Sequence, residues 1–229
     1  MIVSSWNMRG FNRASKHGFI SKFLRSQKVD ILAVLETRVQ KSKMGKICTD
    51  YFSEWKYLEN YDKSSNGRIW VFYKPDLKVT TEIIEENFVH LKVRGGEDCQ
   101  ITVVYGSNDE VVRRQTYAQM KSIQTSNEAW LVLGDFNAIL AASEASNGTP
   151  PGSSGQDFLD WIDEMQLEEH KVAGECFTWV NKQTRNPIAR KLDRIFTNSH
   201  WLTKFPGSYA STITPGTHSD HCGLLLNSI

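Results

Sequence analysis

The chain has 229 residues, 40% of them hydrophobic and 23% charged, which is long enough to bury a substantial core and ordinary for a globular protein. The formal net charge is only +1, which excludes a polyelectrolyte, and no apolar run approaches the roughly 20 residues that span a bilayer. The opening "MIVSSWNMRG" lacks the basic start and apolar stretch of a signal peptide, so an intracellular protein is expected.

Taken in chain order, "IVSSWNM" reads as a short strand. "HGFISKFLRSQK" puts Phe19, Ile20, Phe23 and Leu24 on one helical face. "VDILAVLET" is a near-continuous apolar run, the pattern of a strand buried on both faces. "SSNG" reads as a turn before the strand "RIWVFYK". "TTEIIEE", "FVHLKVRG" and "CQITVVYG" follow as strands, with "RGGED" as a turn. "DEVVRRQTYAQMKSI" reads as a helix, "AWLVLGDFN" as a buried strand with a polar end, and "SGQDFLDWIDEMQ" as an amphipathic helix. Four short strands close the chain: "CFTWVN", "KLDRIFTN", "GSYASTIT" and "CGLLLNS". Residues 147–155 and 181–190 are expected as mobile loops, the first for its Gly, Pro and Ser content. No repeat or linker interrupts the pattern, so one mixed α/β domain over 1–229 is expected, with two facing sheets to accommodate the strands.

Cys48, Cys99, Cys176 and Cys222 are scattered without a CxxC pair, which argues against a zinc site and a disulfide framework. Charge is segregated along the chain. Residues 9–46 are strongly basic, as are 182–204, where Lys182, Arg185, Arg190, Lys191, Arg194 and Lys204 face only Asp193. Residues 157–169 are acidic. Such segregation fits a basic face for a polyanion with an acidic helix turned away; ordinary solvated faces would produce it too.

Several apolar strands end in the polar residues that metal and phosphate chemistry needs. They deliver Asn7, Glu36, Tyr105 with Asn108, Asp135 with Asn137, Asp193, and the run Ser219, Asp220, His221. Each has a bland alternative when taken alone. Asn7 before its glycine loop and "SDH" both suit turns, Glu36 suits a solvated strand end, "GDFN" suits an Asx turn, and Asp193 suits a local ion pair. Their joint occurrence in this order is the stronger signal.

The ordered set "SWNMRG", "LAVLETR", "VVYGSN", "LVLGDFNA", "FTWVN", "KLDRIF" and "SDH" resembles the endonuclease/exonuclease/phosphatase superfamily. It looks most like the apurinic-endonuclease-like domain of non-LTR retrotransposons, in the phrasing of plant-type elements. The resemblance covers about residues 2–226. It implies a four-layer α/β sandwich with two central, mostly antiparallel sheets flanked by helices. It further implies a Mg²⁺ site, with Mn²⁺ as an alternative ion, that cleaves phosphodiesters.

A phosphodiester is anionic and repels nucleophiles, so its hydrolysis needs an activated water, a neutraliser for the phosphate oxygens and help for the leaving oxygen. Mg²⁺ prefers carboxylate, amide oxygen and water. Glu36 is the expected main ligand, with Asn7 beside it. Asp135 is expected to orient and deprotonate the water, and Asn137 to hold Asp135 or a phosphate oxygen. Tyr105 is expected to hydrogen-bond a phosphate oxygen. His221 would donate to the phosphate, which requires its other nitrogen to be fixed by a carboxylate; by resemblance Asp193 is that partner. Asp220 is either a second metal contact or the group that assists the leaving oxygen. Asn108, Thr178 and Ser219 are expected at the substrate, the last two as phosphate-binding or neighbour-positioning hydroxyls. Arg9 stands where many base-repair members carry an acidic residue; it cannot ligate Mg²⁺ but can contact a phosphate. Arg185, Arg190 and Lys191, on a hairpin or loop probing a groove, would add salt-dependent phosphate contacts.

The resemblance therefore implies a DNA endonuclease acting on double-stranded DNA in the nucleus, leaving a 3′-hydroxyl for a reverse-transcriptase region of a longer polyprotein. Two alternatives stay open: the same fold acting on abasic DNA, RNA or a phospholipid headgroup, and a non-catalytic nucleic-acid-binding module. The absence of a membrane-seeking segment argues against lipid.

Overall fold

The computed structural model describes every residue except 65, 66, 124, 126 and 182. The middle of the "SSNG" turn and Lys182 of the second basic stretch lie outside the described residues.

Among the described residues, fifteen strands and five α-helices follow in chain order: β1 (Ile2–Asn7), α1 (Ala14–Ser26), β2 (Ile31–Leu35), α2 (Lys41–Tyr51), β3 (Lys56–Glu59), β4 (Ile69–Tyr73), β5 (Lys78–Ile84), β6 (Phe88–Arg94), β7 (Cys99–Tyr105), α3 (Glu110–Met120), β8 (Trp130–Asp135), α4 (Ser153–Glu164), β9 (Glu168–Glu169), β10 (Val172–Ala173), β11 (Trp179–Val180), β12 (Ala189–Arg190), β13 (Asp193–Thr197), α5 (Ser199–Lys204), β14 (Tyr209–Ile213) and β15 (Gly223–Asn227). One sheet runs β10-β14-β15-β1-β2-β4-β3 and the other β5-β6-β7-β8-β13-β9, with β11 and β12 as a separate hairpin.

The two sheets face each other, and helices cover their outer faces. In β2, Ile31, Ala33 and Leu35 point into the core between the sheets, where they meet Ile101, Val103, Leu131 and Leu133 of β7 and β8. Leu32 and Val34 point the other way, onto Phe23 and Leu24 of α1 and Met44 and Ile47 of α2. In β8, Trp130 and Val132 pack under Tyr117 of α3 and Phe158 and Trp161 of α4. Strands covered on both faces need no polar side, which is why they read as unbroken apolar runs. The expected four-layer sandwich is the observed architecture. Most strand pairs are antiparallel; β1–β2, β7–β8 and β10–β14 are parallel.

Local boundaries follow side-chain chemistry. Asp109 caps α3 by accepting from the Val111 amide at 2.8 Å. Residues 153–155 of the expected mobile loop instead form the first turn of α4, behind Gly152. The pattern-poor α2 was not legible, because Gly45 and its many polar neighbours leave only Met44, Ile47 and Cys48 to mark the buried face. The edge strand β3 was missed for a similar reason: its side chains are exposed or half-buried.

At Gly134, φ is +144° and an added Cβ would sit 2.0 Å from the Val104 carbonyl oxygen. Only glycine lets β8 pass so close to β7 at that point, one residue before Asp135.

Candidate active site

Strand directions bring the polar ends together. β1 and β2 run parallel, as do β7 and β8, with Asn7 opposite Leu35 and Tyr105 opposite Asp135. The start of antiparallel β13 sets Asp193 opposite Asp135. β15 runs antiparallel to β1, so the residues just before it, Ser219 to His221, arrive at the same end. The two sheets are bonded to each other there, with Asn7 Nδ2 donating to Asp135 Oδ2 at 2.8 Å.

Asp135 is fully buried. Its Oδ1 accepts from the Asn137 amide at 2.9 Å, and its Oδ2 also accepts from Asn137 Nδ2 at 3.3 Å. Burial drives its carboxyl up to about 7; the His221 charge opposes that rise and Asp193 adds to it. A carboxyl of this kind is poised to take a proton near neutral pH. His221 Nδ1 donates to Asp193 Oδ2 at 2.9 Å, and Nε2 lies 3.9 Å from Asp135 Oδ2. Burial pulls the imidazole down, but Asp193 and then Asp135 outweigh it and hold the group up at about 9. The histidine is therefore a cation at neutral pH, with one nitrogen anchored and the other facing the pocket.

The surrounding residues fix these groups. Thr178 Oγ1 accepts from the amides of Leu192 and Asp193 at 3.0 and 2.9 Å. Ser219 Oγ donates to the Asn7 carbonyl at 2.6 Å and accepts from the His221 amide at 3.1 Å. Trp6 Nε1 donates to the His221 carbonyl at 3.0 Å. The hydroxyls of Thr178 and Ser219 are engaged with these backbone groups, and neither side chain is among those lining the pocket over the cluster, so of their two expected roles the structure favours neighbour-positioning. Tyr105 is buried at the end of β7; burial, with Glu36 and Asp135 adding, pushes its phenol well up, so it remains a neutral hydroxyl.

A pocket of about 280 Å³ opens over this cluster, lined by Arg9, Glu36, Arg38, Asn108, Arg113, Asp135, Asn137, Trp179, Arg190, Leu192 and His221. Arg9, Glu36, Arg38 and Asn137 all have positive φ, between +43° and +51°. Left-handed backbone costs a residue with a Cβ roughly 1–2 kcal/mol, and its concentration here is the sign of a site that imposes geometry. Glu36 is held by Arg38, and Asp220 by Arg9. Trp179 Nε1 also donates to Asp220 at 3.1 Å.

The donors fit a hard divalent cation. Asp220 Oδ1 is buried and lacks a hydrogen-bond partner, and Glu36 engages Arg38 through one carboxylate oxygen only. Asp135, Asp193 and His221 also offer ligand atoms within 4.8 Å of one another. In that trio, however, His221 and Asp193 are already spent on each other, and a protonated imidazole repels a cation. Glu36, a carboxylate of the pocket lining with one oxygen outside its pair with Arg38, suits a hard divalent cation better. Asn7 offers less than expected: its amide nitrogen is bound to Asp135 and its Oδ1 already accepts from the Arg9 amide at 2.8 Å.

Three further expectations change. Lys191 is not a free phosphate contact, because its ammonium pairs with Glu169 at 2.8 Å and Glu144 at 3.9 Å, beside the buried Arg194. Arg185 sits exposed in the loop of the β11–β12 hairpin and outside the pocket lining, whereas Arg190 lines the pocket. Asp220 cannot serve as a proton donor: burial favours its neutral form, but His221 and Arg9 win and hold it below the usual carboxylate range. Sequence reading missed Arg38, Arg113 and Trp179, although "ETR" and "FTW" contained two of them.

A model of the endonuclease/exonuclease/phosphatase family matches residues 4–221. The chain belongs to that family. Among solved structures it is similar to a 3′-5′ exonuclease from Neisseria meningitidis, at TM-score 0.79 and 15% identity over 99% of both chains. It is also similar to the endonuclease domain of TRAS1, a telomere-specific non-LTR retrotransposon, at TM-score 0.75 and 14% identity, covering 99% of this chain and 97% of that one. An AP endonuclease from Archaeoglobus fulgidus matches at TM-score 0.74 and 13% identity, over 99% and 98%. At these identities the likeness establishes the fold. By sequence the chain is 29% identical over 138 residues to a Drosophila melanogaster protein named "Probable RNA-directed DNA polymerase from transposon BS", an alignment covering 58% of this chain and 15% of that protein.

Proposed function

We propose that this family member is a Mg²⁺-dependent endonuclease, a single domain that nicks double-stranded DNA and leaves a 3′-hydroxyl. The observation that carries the reading is the triad geometry: a neutral-range carboxyl at Asp135 beside an imidazolium at His221 that is pinned by Asp193.

Asp135 takes the proton of the attacking water, with Asn7 and Asn137 holding its oxygens. His221 donates from Nε2 to a non-bridging phosphate oxygen as negative charge builds. Arg190 and Asn108, which line the pocket, complete the anion cradle. Water oxygen bonds to phosphorus as Asp135 keeps its proton, the bond from phosphorus to the 3′ oxygen breaks, and that oxygen takes a proton from solvent water and leaves as a hydroxyl. Mg²⁺, when held by Glu36 and Asp220, would supply charge to the phosphate and to the leaving oxygen.

The likeness to a retrotransposon endonuclease domain and to a transposon polymerase supports a target-site nickase encoded with a reverse-transcriptase region and acting on nuclear DNA. The test is nicking of supercoiled plasmid with Mg²⁺. Asp135→Ala and His221→Ala should each lower the rate by at least about 100-fold, and nicks made by the wild type should be extended by a DNA polymerase. Nicking that survives both substitutions would sink the proposal.

A further inference from the structure

We infer that Arg38 and Arg9 are exchangeable counter-ions, so that the divalent cation and the anionic substrate bind this site cooperatively. The inference rests on the reading of Glu36 and Asp220 as cation ligands.

The asymmetry of the two ion pairs is what points to exchange. The carboxylate side chains are 11% exposed at Glu36 and 1% at Asp220, whereas Arg38 and Arg9 are 60% and 52% exposed. A buried carboxylate that stays charged is strongly penalised when its positive partner leaves. An exposed guanidinium is cheap to move. The arginines therefore neutralise the carboxylates from the more exposed side of each pair.

The backbone fixes where both partners start. Glu36 and Arg38 have φ of +51°, and the loop between them is clamped by Thr37 Oγ1 donating to the Gly67 carbonyl at 2.9 Å and the Arg38 amide donating to the same carbonyl at 3.2 Å. Both side chains line the one pocket. Arg38 can release Glu36 and still face the cradle, where its planar fork matches a phosphate better than a single carboxylate oxygen. A cation alone must displace the arginines into solvent. A phosphate alone pulls them off and strands the carboxylates. Each ligand removes the cost of the other, which is positive coupling. Arg190 is the internal comparison: it lines the same pocket, has a buried Nε without a partner, and pairs with no carboxylate among the described residues.

The experiment is calorimetric titration with Mn²⁺, with and without a short phosphorothioate-linked duplex, on folded wild type, Arg38→Ala, Arg190→Ala and Glu36→Gln. In the wild type the duplex should tighten Mn²⁺ binding about five-fold or more. Arg38→Ala should bind Mn²⁺ alone about five-fold more tightly than wild type and lose most of the coupling. Arg190→Ala removes the same charge and should leave Mn²⁺ affinity within about two-fold. If Arg38→Ala changes nothing while Glu36→Gln abolishes Mn²⁺ binding, exchange is refuted and the ligand assignment stands. Equal tightening by Arg38→Ala and Arg190→Ala also refutes it, reducing the effect to net charge. Undiminished Mn²⁺ binding by Glu36→Gln overturns the ligand assignment itself.

Discussion

Replacing Asp193 by Asn isolates the orienting carboxylate with almost no change in shape. In the wild type His221 Nδ1 donates to Asp193 Oδ2 at 2.9 Å within a buried setting, and the imidazole is held at about 9. At pH 7 about one molecule in a hundred then carries a neutral ring. Asp193 is the largest force raising that value, and burial works against it. Without the carboxylate the ring should drop toward or below the ordinary value of about 6.5, leaving it mostly neutral at pH 7. A neutral ring with an amide partner also loses the reason to present Nε2–H to the pocket. The lost charge-assisted bond to the phosphate, worth about 1.5–3 kcal/mol, should lower kcat about 10- to 100-fold. The sign on pH follows from the raised value: the charged form is present below about 9 and is lost as pH rises through it. The wild-type rate should therefore rise as Asp135 ionises through about 7 and fall above about 9. In Asp193→Asn the alkaline fall should move to lower pH by about two units. Plasmid nicking across pH 5–10 reads the rate, and ¹⁵N chemical shifts of the imidazole read the protonation directly. An unchanged rate and an unchanged imidazole titration in a folded variant would refute the reasoning.

Two predictions concern stability. His90 is buried on β6 with Nδ1 against Thr102 Oγ1 at 2.8 Å, and burial lowers it to about 4. Its folded value lies below its unfolded one, so the unfolded state binds the extra proton and stability is lost as pH falls from about 6.5 towards 4. Urea unfolding should show a contribution of about 2 kcal/mol lost between pH 8 and pH 5; a His90→Asn variant with the same acid slope as wild type would contradict this. Gly134→Ala should destabilise by roughly 3 kcal/mol or more, because φ of +144° and the Val104 carbonyl leave no room for a Cβ. A melting temperature within a degree or two of wild type would show that β8 can relax.

The central strands were legible because their burial on both faces writes an apolar run into the sequence itself. The helices α1, α3 and α4 were legible because one face of each is buried and repeats at helical spacing. Thr178 and Lys191 show where such reading stops. Both were expected at the substrate, yet the hydroxyl of one holds two backbone amides and the ammonium of the other belongs to the Arg194 network. Nothing within a few residues of either position distinguishes those fates.

The sequence by itself determined the mixed α/β class with two facing sheets and the positions from which Asn7, Glu36, Asp135, Asp193 and His221 are delivered, which depend on local pattern: apolar runs, helical spacing and polar residues at strand ends. The four-layer architecture and the family came from the resemblance that the ordered motifs carry. Only the tertiary structure decided which groups touch, because the deciding contacts join residues far apart in the chain. Asn7 reaches Asp135 across 128 positions and Arg9 reaches Asp220 across 211. Register and burial at that meeting point turned carboxylates of similar sequence setting into different chemical groups, with Asp135 near neutral and Asp220 firmly ionised. They also placed Arg38 against Glu36, where the sequence had shown only a basic stretch.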